Sequence, residues 1–114
     1  MRLATYSPVE FDRFSPTFNQ EHEGWLVHVE ERTPDLSRGQ VEVGIPVSAR
    51  RFVGLTREPD RIVMHYLGLA GEPAHYDVSR PLGLRRVLTD GDEEEFRVED
   101  WRGRTTRFLL RRAN

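Results

Sequence analysis

The sequence predicts an α+β domain: one N-terminal helix packed on an antiparallel meander sheet of about seven strands, curled into a half-open barrel or folded as a two-layer sandwich. Three observations carry this expectation. Phe11, Phe14 and Phe18 recur at spacings of three and four, which lines three rings along one stripe of a helix. From Gly24 onward the apolar period becomes two, as in Trp25, Val27 and Val29. The period-two runs are separated by short turns rich in Gly, Pro and Asp, so each strand leads directly to an antiparallel neighbour. A single domain over residues 1–114 is expected, with the helix at about 8–22 and the strands at about 24–112, because a chain of this length can bury about 65% of its unfolded surface.

Ser7-Pro8-Val9-Glu10 reads as a helix start, with serine as cap, proline at the first helical position and glutamate three residues after the cap. Ser15-Pro16 interrupts the stripe, so a kink or a second start at Ser15 is expected, with the helix ended before Gly24. The first strand runs from Trp25 to Glu30, and Arg32 to Gly39 reads as a loop. Val41, Val43 and Ile45 alternate with polar residues as a second strand stopped by Pro46; a weaker third runs from Arg50 to Thr56. Beyond the Glu58-Pro59-Asp60 turn, Arg61 to Leu69 is a clear strand, followed by Ala74 to Ser79 and by a strand from Pro81 through Val87-Leu88. Asp90-Gly91-Asp92 leads into Glu94 to Asp100, and Gly103 turns into Thr105 to Arg111. If Phe96 and Val98 share a face with Phe108 and Leu110, two loops fit the last hairpin. A loop of residues 102–104 opposes Glu99 to Arg107, and one of residues 101–103 opposes Arg97 to Arg107.

Composition narrows the function classes. Without cysteine there is no disulfide frame, no thiolate nucleophile and no cysteine-bound zinc or iron–sulfur cluster. The opening MRLATYSPVEFDRF has no apolar h-region, and no apolar run approaches the ~20 residues a membrane span needs, so a cytoplasmic protein without membrane association is expected. All 17 basic residues are arginine, the side chain that grips phosphate. They are interleaved with 19 acidic residues and build no basic face, so no nucleic-acid partner is expected.

His28, His65 and His75 are the candidate metal ligands, with His22 nearby in the stretch EHEGWLVHVEE; they converge only if their strands are neighbours. A helical H-E-x-x-H site is excluded, because His22 and His28 are six apart with Gly24 between them. Phe14, Phe18, Trp25 and Tyr66 bound either a small-molecule pocket between helix and sheet or simply the core. Leu26, Leu67, Leu69, Trp101 and Leu109 lie off the expected core faces and are the candidate interface. Dense carboxylates such as Glu93-Glu94-Glu95 read as a solvated face beside arginines, and no G-x-S-x-G elbow or glycine-rich phosphate loop is present.

The helix-to-strand junction resembles a family of small bacterial proteins carried as a domain of unknown function. The residues concerned are Phe14-Ser15 and His22-Glu23-Gly24-Trp25-Leu26-Val27-His28-Val29-Glu30, similar to an F-S-x-x-H-x-G-W-L-V-x-V-E pattern with extra residues in the gap. Pro34-Asp35-Leu36, Ile45-Pro46-Val47 and the closing residues 101–108 also resemble it, with Trp101-Arg102 standing where acidic residues are usual. The resemblance implies a fold and brings no reaction, cofactor or partner. The sequence therefore reads foremost as a non-enzymatic module that binds another protein or itself as a homodimer, with no cofactor expected. The alternative is a small-ligand or metal-binding domain, and a hydrolase is the least supported.

Overall fold

The computed structural model describes residues 3–6, 8–35, 37–87 and 91–113; Ser7 with its expected cap, Leu36, Leu88 and Asp90 lie outside the described residues. A short strand β1 (Leu3–Tyr6) precedes the helix α1 (Pro8–His22). Then follow β2 (Leu26–Asp35), β3 (Gln40–Glu58), β4 (Arg61–Leu67), β5 (Pro73–Ser79), β6 (Pro81–Val87), β7 (Glu93–Asp100) and β8 (Thr105–Arg111). The seven strands after the helix, with β1 added on the flank of β6, make one antiparallel sheet in the order β1-β6-β7-β8-β2-β3-β4-β5. No helix among the described residues is long and apolar enough to cross a membrane.

That order explains the curl. β5 and β6 are joined by Arg80 alone, yet they stand six strand positions apart in the sheet. Flat, six spacings would separate them by about 29 Å, far beyond the reach of one residue. The sheet therefore rolls into a half-barrel until β5 and β6 meet at one corner. Arg80 holds that corner in a left-handed conformation (φ 47°), donating its N–H to the Asp60 carbonyl at 2.6 Å and accepting from the Trp101 N–H at 3.2 Å. A non-glycine residue in this region costs on the order of 1 kcal/mol, which the curl imposes.

The inward side chains of β2, β3, β4, β7 and β8 fill the roll. Val27, Val29, Phe52, Met64, Phe96, Val98, Phe108 and Leu110 are buried in one cluster. Helix α1 closes one side of it through its phenylalanine stripe: Phe18 meets the Phe96 ring at 4.5 Å and the Phe52 ring at 5.9 Å, and Phe14 meets Phe96 at 5.7 Å. The stripe governs the helix more strongly than the proline does. α1 continues through Pro16 as one element, with the ring exposed to solvent, so the expected second start at Ser15 does not form. Gly24, at φ 85°, ends the helix in the left-handed region where glycine is favoured. In the last turn His22 is buried against Phe18 and Trp25. Its Nδ1 donates to the Phe18 carbonyl at 2.7 Å, and its Nε2 lies 3.4 Å from Glu94, which Arg86 grips with two hydrogen bonds.

The second and third expected strands are one. β3 runs through Pro46, with irregularities in its pairing to β2 on either side of Val29. A bulge takes residues off the ladder, so the missing N–H of Pro46 breaks nothing, and Ala49 at φ 51° bends the strand further. The bend hands β3 from one neighbour to the next. Residues 40–51 pair with β2, whereas residues 51–58 pair with β4 on the other side. Where β2 departs, α1 takes its place. The Asn19 amide donates to the Leu55 carbonyl and accepts from the Leu55 N–H, both at 2.8 Å, as a neighbouring strand would. Gly54 leaves room for it, since a Cβ there would stand 3.3 Å from the amide.

In the closing hairpin the loop is residues 101–103, with Gly103 at φ 78°, and Arg97 lies opposite Arg107. Glu95 resolves that like-charge pairing by accepting from Arg97 at 2.6 Å and from Arg107 at 2.5 Å.

Asn19→Asp keeps the acceptor for the Leu55 N–H and sets a carboxylate oxygen against the Leu55 carbonyl. The expected loss is about 1–3 kcal/mol of unfolding free energy in urea. An unchanged midpoint would show that the helix does not act as a strand substitute.

Candidate interaction surface

β8 accompanies β2 only as far as Arg32, opposite Thr105, and β4 accompanies β3 only down to Arg51, opposite Leu67. Beyond those limits the chain is a two-stranded ribbon, with Arg32↔Val43, Thr33↔Glu42 and Pro34↔Val41 paired across it. Among the described residues, no strand pairs with the outer edge of β3 from Gln40 to Arg50. Val41, Val43 and Ile45 stand along that edge strand and are 58%, 55% and 57% exposed. Three β-branched side chains favour the extended backbone here and gain little burial from it: Val41 and Val43 meet Pro34 and Arg32 across the ribbon, and Ile45 falls at the register shift.

Charge clamps hold the root of this arm on both faces. Along β2, Val27 and Val29 point inward, so Glu31 points inward and Glu30 and Arg32 outward. Outside, Glu30 accepts from Arg32 at 2.7 Å and from Arg107 at 3.4 Å, and the hydrogen bond from Arg32 holds its carboxyl below the ordinary carboxylate value. Inside, the Tyr76 hydroxyl on β5 donates to Glu31, whose other oxygen lies 3.6 Å from Arg104. Arg104 in turn donates to Asp100 at 3.1 Å. Asp100 is fully buried and also accepts the backbone N–H groups of Arg102 and Arg104. Tyr76 packs edge-on against Phe108 at 6.0 Å, so it spans the interior from the sheet edge to β2 and β8. Burial, and then the hydrogen bond to Glu31, push its phenol well above its ordinary value.

The residues singled out in the sequence fall elsewhere. Phe18 is in the core, and Phe14, Trp25 and Tyr66 are packed against it, so rings fill the space between helix and sheet. Leu26, Leu109 and His28 come together in a surface groove of about 480 Å3, whose floor and rim also include Ala49, Glu95 and Arg107. Trp101 is half-exposed in the β7–β8 turn with the Arg80 and Arg102 guanidinium groups over its ring, Leu67 ends β4, and the exposed Leu69 lies in the β4–β5 turn that follows. The five candidate interface residues are thus spread over three places. His65 and His75 oppose each other across β4 and β5, with His65 hydrogen-bonded to Thr56 at 2.9 Å and His75 at 3.7 Å from Asp77. His28 stands two strands from His65, with β3 between. Among the described residues, no three His, Cys, Asp or Glu side chains are grouped to hold a metal.

Sequence reasoning missed the arm as a surface because it took alternation as a sign of burial. The signal was in the partner segment: Glu30-Glu31-Arg32-Thr33-Pro34-Asp35 offers no large aliphatic residue to share a core with Val41, Val43 and Ile45. Comparison with protein-family models, with curated proteins and with solved structures found no match.

Removing the Tyr76 hydroxyl leaves Glu31 without its donor, and Tyr76→Phe is expected to cost about 1–2 kcal/mol at neutral pH. The tyrosine's folded-state value is raised, so its contribution is complete below about pH 10 and is lost as pH rises through the folded value. Urea unfolding over a pH series should therefore show the two proteins converging above pH 10. A constant difference into strong alkali would contradict this role.

Proposed function

We propose that this domain is a non-enzymatic interaction module that works by strand addition, with the open edge of β3 as the receiving strand. The observation that carries the reading is the row Val41, Val43 and Ile45, exposed along an edge that the sheet itself leaves uncovered. An uncovered edge offers backbone donors and acceptors in strand register, and natural sheets ordinarily guard such edges with lysine, proline or inward-pointing charge. Between Gln40 and Ile45 the guard is reduced to Glu42. The clamps at Glu30 and Glu31 support the reading from another side, since a ribbon fixed at its root loses less freedom when a partner docks. The carboxylates a hydrolytic mechanism would draw on are held by arginines, as Glu94 is by Arg86 and Glu95 by Arg97 and Arg107. A chain free of cysteine also suits a reducing compartment, so we place the module in the cytoplasm.

A photo-crosslinking amino acid at position 43, compared in cells with one at the exposed Leu69, tests the reading. Position 43 should give a discrete adduct that Val41→Pro abolishes, because proline removes an edge donor and stiffens the strand. Equal or absent adducts at the two positions would refute strand addition at this edge.

A further inference from the structure

We infer that the strand received by β3 is the same segment of a second copy of this chain, paired antiparallel about a two-fold axis at Val43. The inference rests on the strand-addition reading and names its partner.

A two-fold axis perpendicular to the sheet keeps the apolar stripes of both copies on one face. It also restricts which residues can face each other, because directly opposed residues of antiparallel strands point to the same side. Three registers, centred on Glu42, Val43 and Gly44, place the axis at the middle of the arm, and two of them fail on residues of this chain. Centred on Glu42, the pairing sets two carboxylates directly opposite each other, and opposed like charges destabilise a sheet. Centred on Gly44, it requires Val47 to face the partner's Val41, but Val47 is already buried in its own core. Centred on Val43, it opposes Val43 to Val43 and Val41 to Ile45 twice, a run of β-branched pairs on one face. On the other face each Glu42 then lies opposite a glycine, Gly44 of the partner subunit. The Glu31 carboxylate beside Gly44 already has Tyr76 and Arg104 as partners, so little negative charge is left to repel Glu42. Pro46, without an N–H, meets Gln40 and ends the ladder. The segment 40–45 thus pairs with itself without opposed like charges and with matching shape and length, and the paired arms join two half-barrels into one continuous sheet.

The test uses the register itself. Val43→Glu and Val43→Arg each place like charges at the axis, whereas a mixture of the two places opposite charges there. Light scattering should give wild type twice the 13.3 kDa chain mass, each variant alone the single mass, and the equimolar mixture the doubled mass again. Val43 is more than half exposed, so both variants should still unfold in one cooperative transition, at the midpoint wild type shows when diluted to the single mass, which separates loss of pairing from loss of fold. A mixture that remains at the single mass would overturn the Val43-centred register. Wild type at the single mass at every concentration would overturn the second copy as occupant. A crosslinked adduct to some other chain at position 43 would then leave the strand-addition reading standing, and no adduct at all would remove both.

Discussion

Ser79 and Pro81 are one residue apart in the chain, yet they belong to strands six positions apart in the sheet. Every large feature of the fold answers to that constraint. A flat sheet cannot satisfy it, so the sheet rolls, and the roll brings β5 within reach of β2 and β8 across the interior. Tyr76 exploits that approach, with its ring on Phe108 and its hydroxyl on Glu31. The tie stabilises the roll in return, because a tyrosine on a flat sheet's edge would meet neither group. At the corner the strain at Arg80 is offset by backbone hydrogen bonds to Asp60 and Trp101.

Rolling has a second consequence at β3. This strand bends, with Pro46 and Ala49 at the bend, and gives up β2 as it takes on β4. Two lengths of unpaired edge result. One lies along residues 53–58, beyond the backbone hydrogen bonds of Phe52 to Gly24 and Trp25, and α1 covers it by presenting Asn19 as though it were a strand residue. The other lies along residues 40–50, and no strand among the described residues pairs with it. The same sheet thus shows what a covered edge looks like and what an uncovered one looks like, which is why the exposed valines attract a functional explanation instead of a purely structural one.

Much of this was legible in the residues. The phenylalanine stripe located α1, and the turn at Gly103 located β8 at Thr105 to Arg111. Both are strong local signals. The failures share a cause, in that tertiary context overrode a local cue. Pro46 looks like a strand end until a bulge removes it from the ladder. Pro16 looks like a helix break until the rings on either side hold the helix against Phe96. Strand β1 is too short for its period to show. Asn19 and Leu55 are 36 positions apart, so no local pattern announces their pairing. The exposure of Val41 and Val43 was written in the polar segment opposite, but reading it required knowing that residues 30–35 form the other half of the ribbon and not a loop.

The central claim is that the edge at residues 40–45 is open in the isolated chain and closes when chains meet. Amide hydrogen exchange of the wild-type protein at two concentrations well over an order of magnitude apart tests it most directly. The account predicts that amides of residues 40–45 exchange more slowly in the concentrated sample. Those of residues 53–58, already covered by Asn19 and β4, should slow far less, by no more than the gain in global stability that pairing brings. Arm amides that exchange at the same rate at the two concentrations would contradict it.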